Sequence, residues 1–430
     1  MSRPFKVAVA GLGTVGVGTL RLLAAQAEAL ERRCGRRIEV TAVSARDRRR
    51  DRGIDISDLR WYDDPVALAR EAEAEVVVEM IGGSDGPACA VVEAAIAAGR
   101  HVVTANKALM AVHGTALARS AEAAGVRIGF EASVAGGIPI VKALREGLAG
   151  NRIGRVYGIL NGTCNHILTT MRDKGAEFAD VLEEAQKLGY AEADPSFDID
   201  GVDTAHKLAI LTGLAFGSEV NLAGVHVEGV RPISLSDIEY AREFDYEIKL
   251  LGLARMTEHG VEQRVHPCMV PRKAPIADVD GVFNAVVAEG DFVGTVMLEG
   301  RGAGAGPTAS AVVADLLDIA RGGPGPIFAV PAESLKPVPA SPMMRHIGRY
   351  YLRLMVIDQP GVMAEVSAIL RDNRISIESM LQRGRDPEEV VAVVLTTHET
   401  EERAMVEALG AIEALDTVRE KPCMIRIEEL

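Results

Sequence analysis

The first thirty residues constrain the fold most. Residues 5–10, FKVAVA, are a short apolar run rich in valine, as a buried parallel strand requires. Gly11, Leu12, Gly13, Thr14, Val15 and Gly16 follow as a GxGxxG turn, and TLRLLAAQAEALERR continues with helical periodicity. Strand, glycine turn and helix in this order form a phosphate-binding unit. Gly11 allows the tight turn, Gly13 lets backbone approach a pyrophosphate, and Gly16 lets helix and strand pack closely. The helix then offers unpaired N–H groups and the positive end of its dipole.

The alternation continues. A second strand covers about residues 37–43. EVVVEMIGG (75–83) and HVVTAN (101–106) are further strands, GPACAVVEAAIAAG and ALMAVHGTALARSAEAAG are helices, and VRIGFEASV closes the set. This pattern gives a doubly wound parallel sheet of the Rossmann type, with ligands beyond the carboxyl ends of its strands. Thr104 and Lys107 fall at such an end, facing the cofactor crevice. The second strand ends without the acid that takes a ribose 2′-hydroxyl. Arg46, Arg48, Arg49 and Arg50 stand there instead and suit a 2′-phosphate, so NADP(H) is preferred; Asp47 keeps NAD(H) open. Gly304 and Gly306, in GRGAGAGPTASAVVADLLDIA, make a second glycine-rich loop able to close on the cofactor. The helix after it, at about 308–321, is expected to return to the first domain.

A chain of 430 residues needs two or three cores. A net charge of −14 lacks the basic footprint of a nucleic-acid or anionic-membrane partner. No run reaches the roughly 18 apolar residues of a membrane span. Five scattered cysteines without CxxC or His/Cys clusters fit reduced thiols in the cytoplasm and give no zinc signature. The basic-then-apolar N-terminus is a glycine-turn strand rather than a signal peptide, which leaves the glycosylation sequon at Asn161 without meaning.

Residues 189–207, GYAEADPSFDIDGVDTAHK, hold five acids (Glu192, Asp194, Asp198, Asp200 and Asp203) before Lys207, and an apolar helix follows. Lys207 shares a helix face with Asp203, Ile210, Leu211 and Leu214, so it lies at the mouth of a buried helix among acids. A salt bridge to Asp203 is compatible with a chemical role. A half-buried lysine has a tunable pKa and can act as an acid. A dinucleotide site implies hydride transfer, and a reduced carbonyl needs a proton and a nearby cation. Lys107 and Lys207 are best placed to supply these, with the acids holding a cationic substrate. Two other readings stay open: a dinucleotide-binding amino-acid sensor without catalysis, and a reductase of another amino-acid aldehyde or imine.

In this order, GLGTVG, VTANKA, EASVAGGIPI, NGTCNHIL, GYAEADPSFDIDGVDTAHKLAIL and GRGAGAGPTASAV resemble the homoserine dehydrogenase family, over about residues 5–320. The resemblance implies NAD(P)H-dependent reduction of L-aspartate 4-semialdehyde to L-homoserine, on the route to threonine and methionine. It implies Lys207 as proton donor, Lys107 beside cofactor and substrate, and Glu192 on the substrate amine. Asp198, Asp203, Tyr190 and Gly162 would line the pocket. It also implies a sodium ion held by Glu131 and the backbones of Val134, Gly136 and Ile138, which is reasonable hard-cation chemistry. Cys164 is not catalytic in that family's motif and reads as packing.

A proline- and glycine-rich stretch (321–345) reads as a linker. From 346 to 430 the order βαββαβ is the ferredoxin-like split. With Asp358, Pro360 and Gly361 at its first turn it resembles an ACT domain, which implies an amino-acid effector and feedback inhibition by L-threonine. The expected architecture is therefore α/β: a Rossmann domain (1–140), an α+β catalytic and dimerisation domain (141–320), the linker, and the ACT domain, assembled as a homodimer or homotetramer.

Overall fold

A computed structural model of the chain describes residues 3–323, 325–382 and 390–430. Strands β1 (Phe5–Ala10), β2 (Ile38–Ser44), β3 (Arg60–Tyr62), β4 (Val76–Glu79), β5 (His101–Thr104) and β6 (Ile128–Gly129) pair in parallel in the order β3-β2-β1-β4-β5-β6. The apolar runs are continuous because both faces are covered. Ala8, Ala10 and Val77 pack under the helices Pro65–Glu71, Pro87–Ala97 and Lys107–Ala123. Val7, Val9, Val76 and Val78 pack under Thr14–Ala25 and Ala305–Ala320. The latter helix comes from far along the chain to pack on this sheet. It is held by fully buried side chains such as Val312 and Leu316, each contributing about 2 kcal/mol of apolar burial.

The remaining strands are β7 (Ile153–Ile159), β8 (Val225–Val227), β9 (Tyr246–Thr257), β10 (Gly260–Pro271), β11 (Phe283–Gly290), β12 (Gly294–Arg301), β13 (Ile347–Ile357), β14 (Ile377–Gln382), β15 (Val390–Thr397), β16 (Thr400–Glu401) and β17 (Cys423–Ile427). They form one sheet, β12-β11-β7-β9-β10-β17-β13-β15-β14, with β8 on β10 and β16 on β13. The antiparallel layer expected in the middle region is present in β7 and β9–β12. The last four positions, β17-β13-β15-β14, with helices Val362–Asp372 and Glu402–Glu413, are the ferredoxin-like split. Glu388 and Glu389, included in the third strand of that split from sequence, lie outside the described residues.

The C-terminal module does not hang apart. Strand β17 pairs in parallel with β10, Cys268 with Arg426 and Met269 with Ile427, so the two layers share one sheet. Buried charges cover this seam and each is paired, as burial demands. Arg264 binds Glu428 and, through Nε at 2.6 Å, Glu262. Arg426 binds Glu402 through Nε at 3.0 Å and Glu228 through Nη1 at 2.8 Å. A second grip is Asp237, wholly buried in the helix Leu235–Glu243, whose Oδ1 accepts from Tyr351 Oη at 3.0 Å and Arg353 Nε at 2.7 Å.

Among its described residues, the stretch read as a linker is packed. Phe328 is fully buried against Phe130, with ring centroids 5.2 Å apart. The backbone N–H groups of Ile327 and Ala332 donate to the carboxylate of Glu122, and Ala340 bridges to Val261. The apolar IFAV among the prolines and glycines is what docks.

Candidate active site

The nucleotide crevice lies where strand order reverses, between β1 and β4. Gly11 has φ +108°, and a Cβ there would stand 2.4 Å from the Met80 carbonyl. A Cβ on Gly16 would stand 2.1 Å from the Gly11 carbonyl, whereas one on Gly13 would meet nothing within 4 Å. Close packing at the first and third glycines and open space at the second is what a pyrophosphate requires. Leu12 is buried beneath the turn, and Thr14 and Val15 open the helix Thr14–Ala25, which no side chain caps. A second uncapped helix, Ala305–Ala320, begins just after Gly304, with Gly306 exposed in its first turn. The two starts adjoin: a Cβ on Gly18 would lie 3.0 Å from the Ala305 carbonyl. The crevice thus fits a dinucleotide.

At the end of β2, Arg46 is exposed. Asp47 is turned into its own loop, accepting from Arg49 N–H at 2.8 Å. Arg52, not singled out from sequence, ties this loop to the glycine turn through Leu12 O at 3.3 Å, and with Arg48 it lies against the Trp61 ring. On the other wall Thr104 is buried and donates to Glu79 at 2.6 Å. Glu79 also takes the N–H groups of Ile81 and Gly82.

Lys107 begins the helix Lys107–Ala123, which Asn106 caps. Lys207 sits one turn beyond Asp203 in Val202–Phe216, a helix buried along nearly its whole length. The structure brings the three together. Lys207 Nζ donates to Asp203 Oδ2 at 2.7 Å and to the Leu160 carbonyl at 2.6 Å. Lys107 Nζ lies 2.5 Å from Asp203 Oδ1, an ion pair whose angles fall outside hydrogen-bond geometry. Burial lowers the pKa of Lys207, and the neighbouring Lys107 lowers it further against the pull of Asp203. Burial would raise the Asp203 carboxyl, but the Lys207 and Lys107 ammoniums outweigh it and hold it well below the usual carboxylate range.

Asp198 is half-buried beside them, and Gly162 seats its turn against the Val282 carbonyl, 2.7 Å from where a Cβ would be. Tyr190 and Glu192 are exposed on the lip, with Tyr190 edge-on to His166 at 4.8 Å. Cys164 is wholly buried and burial raises its thiol well above the ordinary value, which fits packing. Three site neighbours escaped the sequence reading. Asn161 touches both Asp198 and Asp203, Phe197 lies 5.3 Å under Lys107 Nζ, and His206 stacks edge-on to Phe197.

Glu131 is buried, its two oxygens accepting from the N–H groups of Val141 and Lys142, both at 2.9 Å. Burial, then the buried Asp315, pushes its carboxyl up to about 7. Val134, Gly136 and Ile138 belong to the adjoining tight turn, where Ala135 (φ 51°) and Gly136 (φ 24°) are left-handed. A buried carboxylate beside a tight turn that offers backbone carbonyls is a donor set that fits a hard monovalent cation. Elsewhere among the described residues His266, Cys268 and Glu428 cluster. There the guanidinium of Arg264, on Glu428 and 2.9 Å from His266, already fills the cation's place.

Models of three known families match the chain: Homoserine dehydrogenase, NAD binding domain, over residues 11–131; Homoserine dehydrogenase over 139–317; and ACT domain over 350–417. A homoserine dehydrogenase of Pseudomonas aeruginosa is 46% identical, with all of both chains covered. One from Neisseria gonorrhoeae is 45% identical over 100% of this chain and 99% of that one. The crystal structure of a homoserine dehydrogenase from Thiobacillus denitrificans superposes with a TM-score of 0.94 at 47% identity, covering 99% of this chain and 98% of that one. A hyperthermophilic archaeal homoserine dehydrogenase in complex with NADPH covers 76% of this chain and all of that one, with a TM-score of 0.65 at 27% identity. The chain belongs to the homoserine dehydrogenase family, oxidoreductases that use a nicotinamide dinucleotide, and carries an ACT domain at its C-terminal end.

Proposed function

We propose that the chain catalyses the reversible reduction of L-aspartate 4-semialdehyde to L-homoserine for threonine and methionine biosynthesis, with Lys207 as proton donor. One observation carries the assignment of Lys207. An ammonium has three N–H groups, and Lys207 spends two of them, on Leu160 O and Asp203 Oδ2. The third remains for a substrate oxygen. The Gly11–Gly16 turn and the Gly304 loop would hold a reduced nicotinamide dinucleotide, which would supply the hydride. Lys207 gives its proton to the substrate oxygen as that oxygen gains charge. Lys107 stands by as the second cation, and Asp203 holds both lysines. Glu192 takes the substrate amine, with Asp198, Tyr190 and the Gly162 backbone shaping the pocket.

Arg46 favours NADP(H) over NAD(H), and the NADPH-bound archaeal relative supports the same choice. Glu131 with the carbonyls of Val134, Gly136 and Ile138 would hold sodium. The ACT domain would bind L-threonine and inhibit, in a cytoplasmic homodimer or homotetramer. Steady-state rates with L-aspartate 4-semialdehyde and either nucleotide, with and without L-threonine, test these assignments together. NADPH turnover suppressed by threonine is expected. Turnover equal with NADH removes the preference, and indifference to threonine removes that effector. A melting temperature no higher in sodium than in choline would remove the ion.

A further inference from the structure

Asn161 stands at the turn between β7 and the helix Gly162–Lys174. It is 5% exposed, and both polar groups of its side chain are fully used. Its Oδ1 accepts from the Cys164 N–H at 2.8 Å and caps the helix. Its amide nitrogen has two hydrogens, one donated to Asp198 Oδ1 and one to Asp203 Oδ2, both at 2.8 Å. The orientation is fixed chemically. A flipped amide would set its oxygen against two carboxylates and its NH2 against an N–H donor.

The two carboxylates belong to different elements. Asp198 lies in the short helix Ser196–Ile199 and Asp203 in Val202–Phe216. Like charges so placed separate unless donors stand between them. The same turn also presents the Leu160 carbonyl, 2.6 Å from Lys207 Nζ. Its backbone has no slack, since a Cβ on Gly162 would press on Val282 O at 2.7 Å.

We infer that Asn161 is a positioning residue of the proposed reaction: its amide locks Asp198 to Asp203 and so holds the Lys207 ammonium in register. The inference rests on the reading of the site given above. Asparagine alone meets the geometry. Aspartate keeps the capping oxygen but donates nothing at neutral pH, serine caps but donates once, and glutamine is a methylene too long.

The test uses the full chain with Asn161→Asp and Asn161→Ser, both of which keep a helix cap. Turnover of L-aspartate 4-semialdehyde is followed against pH, with nucleotide affinity and melting temperature measured alongside. Each variant is expected to lose about ten- to a hundredfold in kcat, with nucleotide affinity close to native and a melting temperature that falls further in Asn161→Asp, where a third carboxylate faces Asp198 and Asp203, than in Asn161→Ser. In Asn161→Asp the added carboxylate should also carry the alkaline limb of the profile to higher pH. Native kcat and an unmoved limb in the variants would overturn the inference and leave Asn161 as a cap only. Should Asn161→Asp not fold, Asn161→Ser decides by its kcat. A native chain that turns over no aldehyde would bring down the reading of the site itself, a result distinct from either.

Discussion

Lys107 and Asp203 meet across the cleft between the two sheets, Nζ 2.5 Å from Oδ1. Lys107 comes from the first turn after β5, and Asp203 from the buried helix that also carries Lys207. One carboxylate therefore faces two ammoniums, and Lys207, the proposed proton donor, is tied to the nucleotide wall through it. A lone lysine at the depth of Lys207 would tend to shed its proton; Asp203 keeps the charge there.

This arrangement sets a pH dependence. Burial first, and Lys107 next, lower the Lys207 pKa from 10.5. Reduction needs the protonated lysine, so its rate falls as pH rises through the lowered value. The reverse oxidation needs the neutral amine and rises over the same range. Lys107→Met removes a neighbouring cation and should move that limb to higher pH, read from kcat/KM in both directions. A limb that stays in place would separate the two lysines electrostatically.

Asp203→Asn should be costly twice over. It leaves a buried ammonium without its counter-charge, a loss of about 3 kcal/mol in stability together with most of the activity. Acid unfolding reports the same group. The folded-state carboxyl of Asp203 is held below 3.8, so the folded protein binds fewer protons than the unfolded chain as acid is added. The stabilisation is complete above that unfolded value and fades as pH falls further. Urea melts from pH 5 to 2 should be less steeply pH-dependent in Asp203→Asn than in the native chain.

Nucleotide choice should follow Arg46. Arg48 and Arg52 are engaged with Trp61, and Asp47 with its own loop; Arg46 is exposed directly at the end of β2, ahead of the likewise exposed Arg49 and Arg50. Arg46→Ala is expected to raise KM for NADPH by about tenfold and leave NADH nearly unchanged, since only the former offers a 2′-phosphate. Equal effects on both nucleotides would assign Arg46 no part in the preference.

Asp237 couples the C-terminal module to the catalytic layer through Tyr351 and Arg353. Asp237→Asn, which leaves the site itself untouched, should weaken the proposed L-threonine inhibition several-fold while turnover without threonine persists. Dose–response curves decide it: an unchanged half-inhibitory concentration would show that the grip is structural alone.

The sequence was legible where function depends on local order. Gly11, Gly13 and Gly16 need only the strand before them and the helix after, and Asp203 and Lys207 sit one turn apart on the same helix. Glu192 and Tyr190 were visible only as part of an acidic loop, and they lie exposed on the lip. Asn161 was invisible, because its role exists only once Cys164, Asp198 and Asp203 converge on it. Nor could composition show that β17 continues the sheet of β10, a pairing of two residues brought together by tertiary packing. Phe328 was masked by the prolines around it, although an apolar cluster inside such a stretch is itself a docking signal.

The most direct measurement is oxidation of NADPH with L-aspartate 4-semialdehyde by the native chain and by Lys207→Ala, with NADPH affinity determined separately by fluorescence. The expected result is rapid turnover by the native chain, a loss of about a hundredfold or more in kcat for the variant, and unchanged NADPH affinity. A variant that turns over as fast as the native chain would contradict the assignment of Lys207. A native chain that binds NADPH and leaves the aldehyde untouched would contradict the reaction.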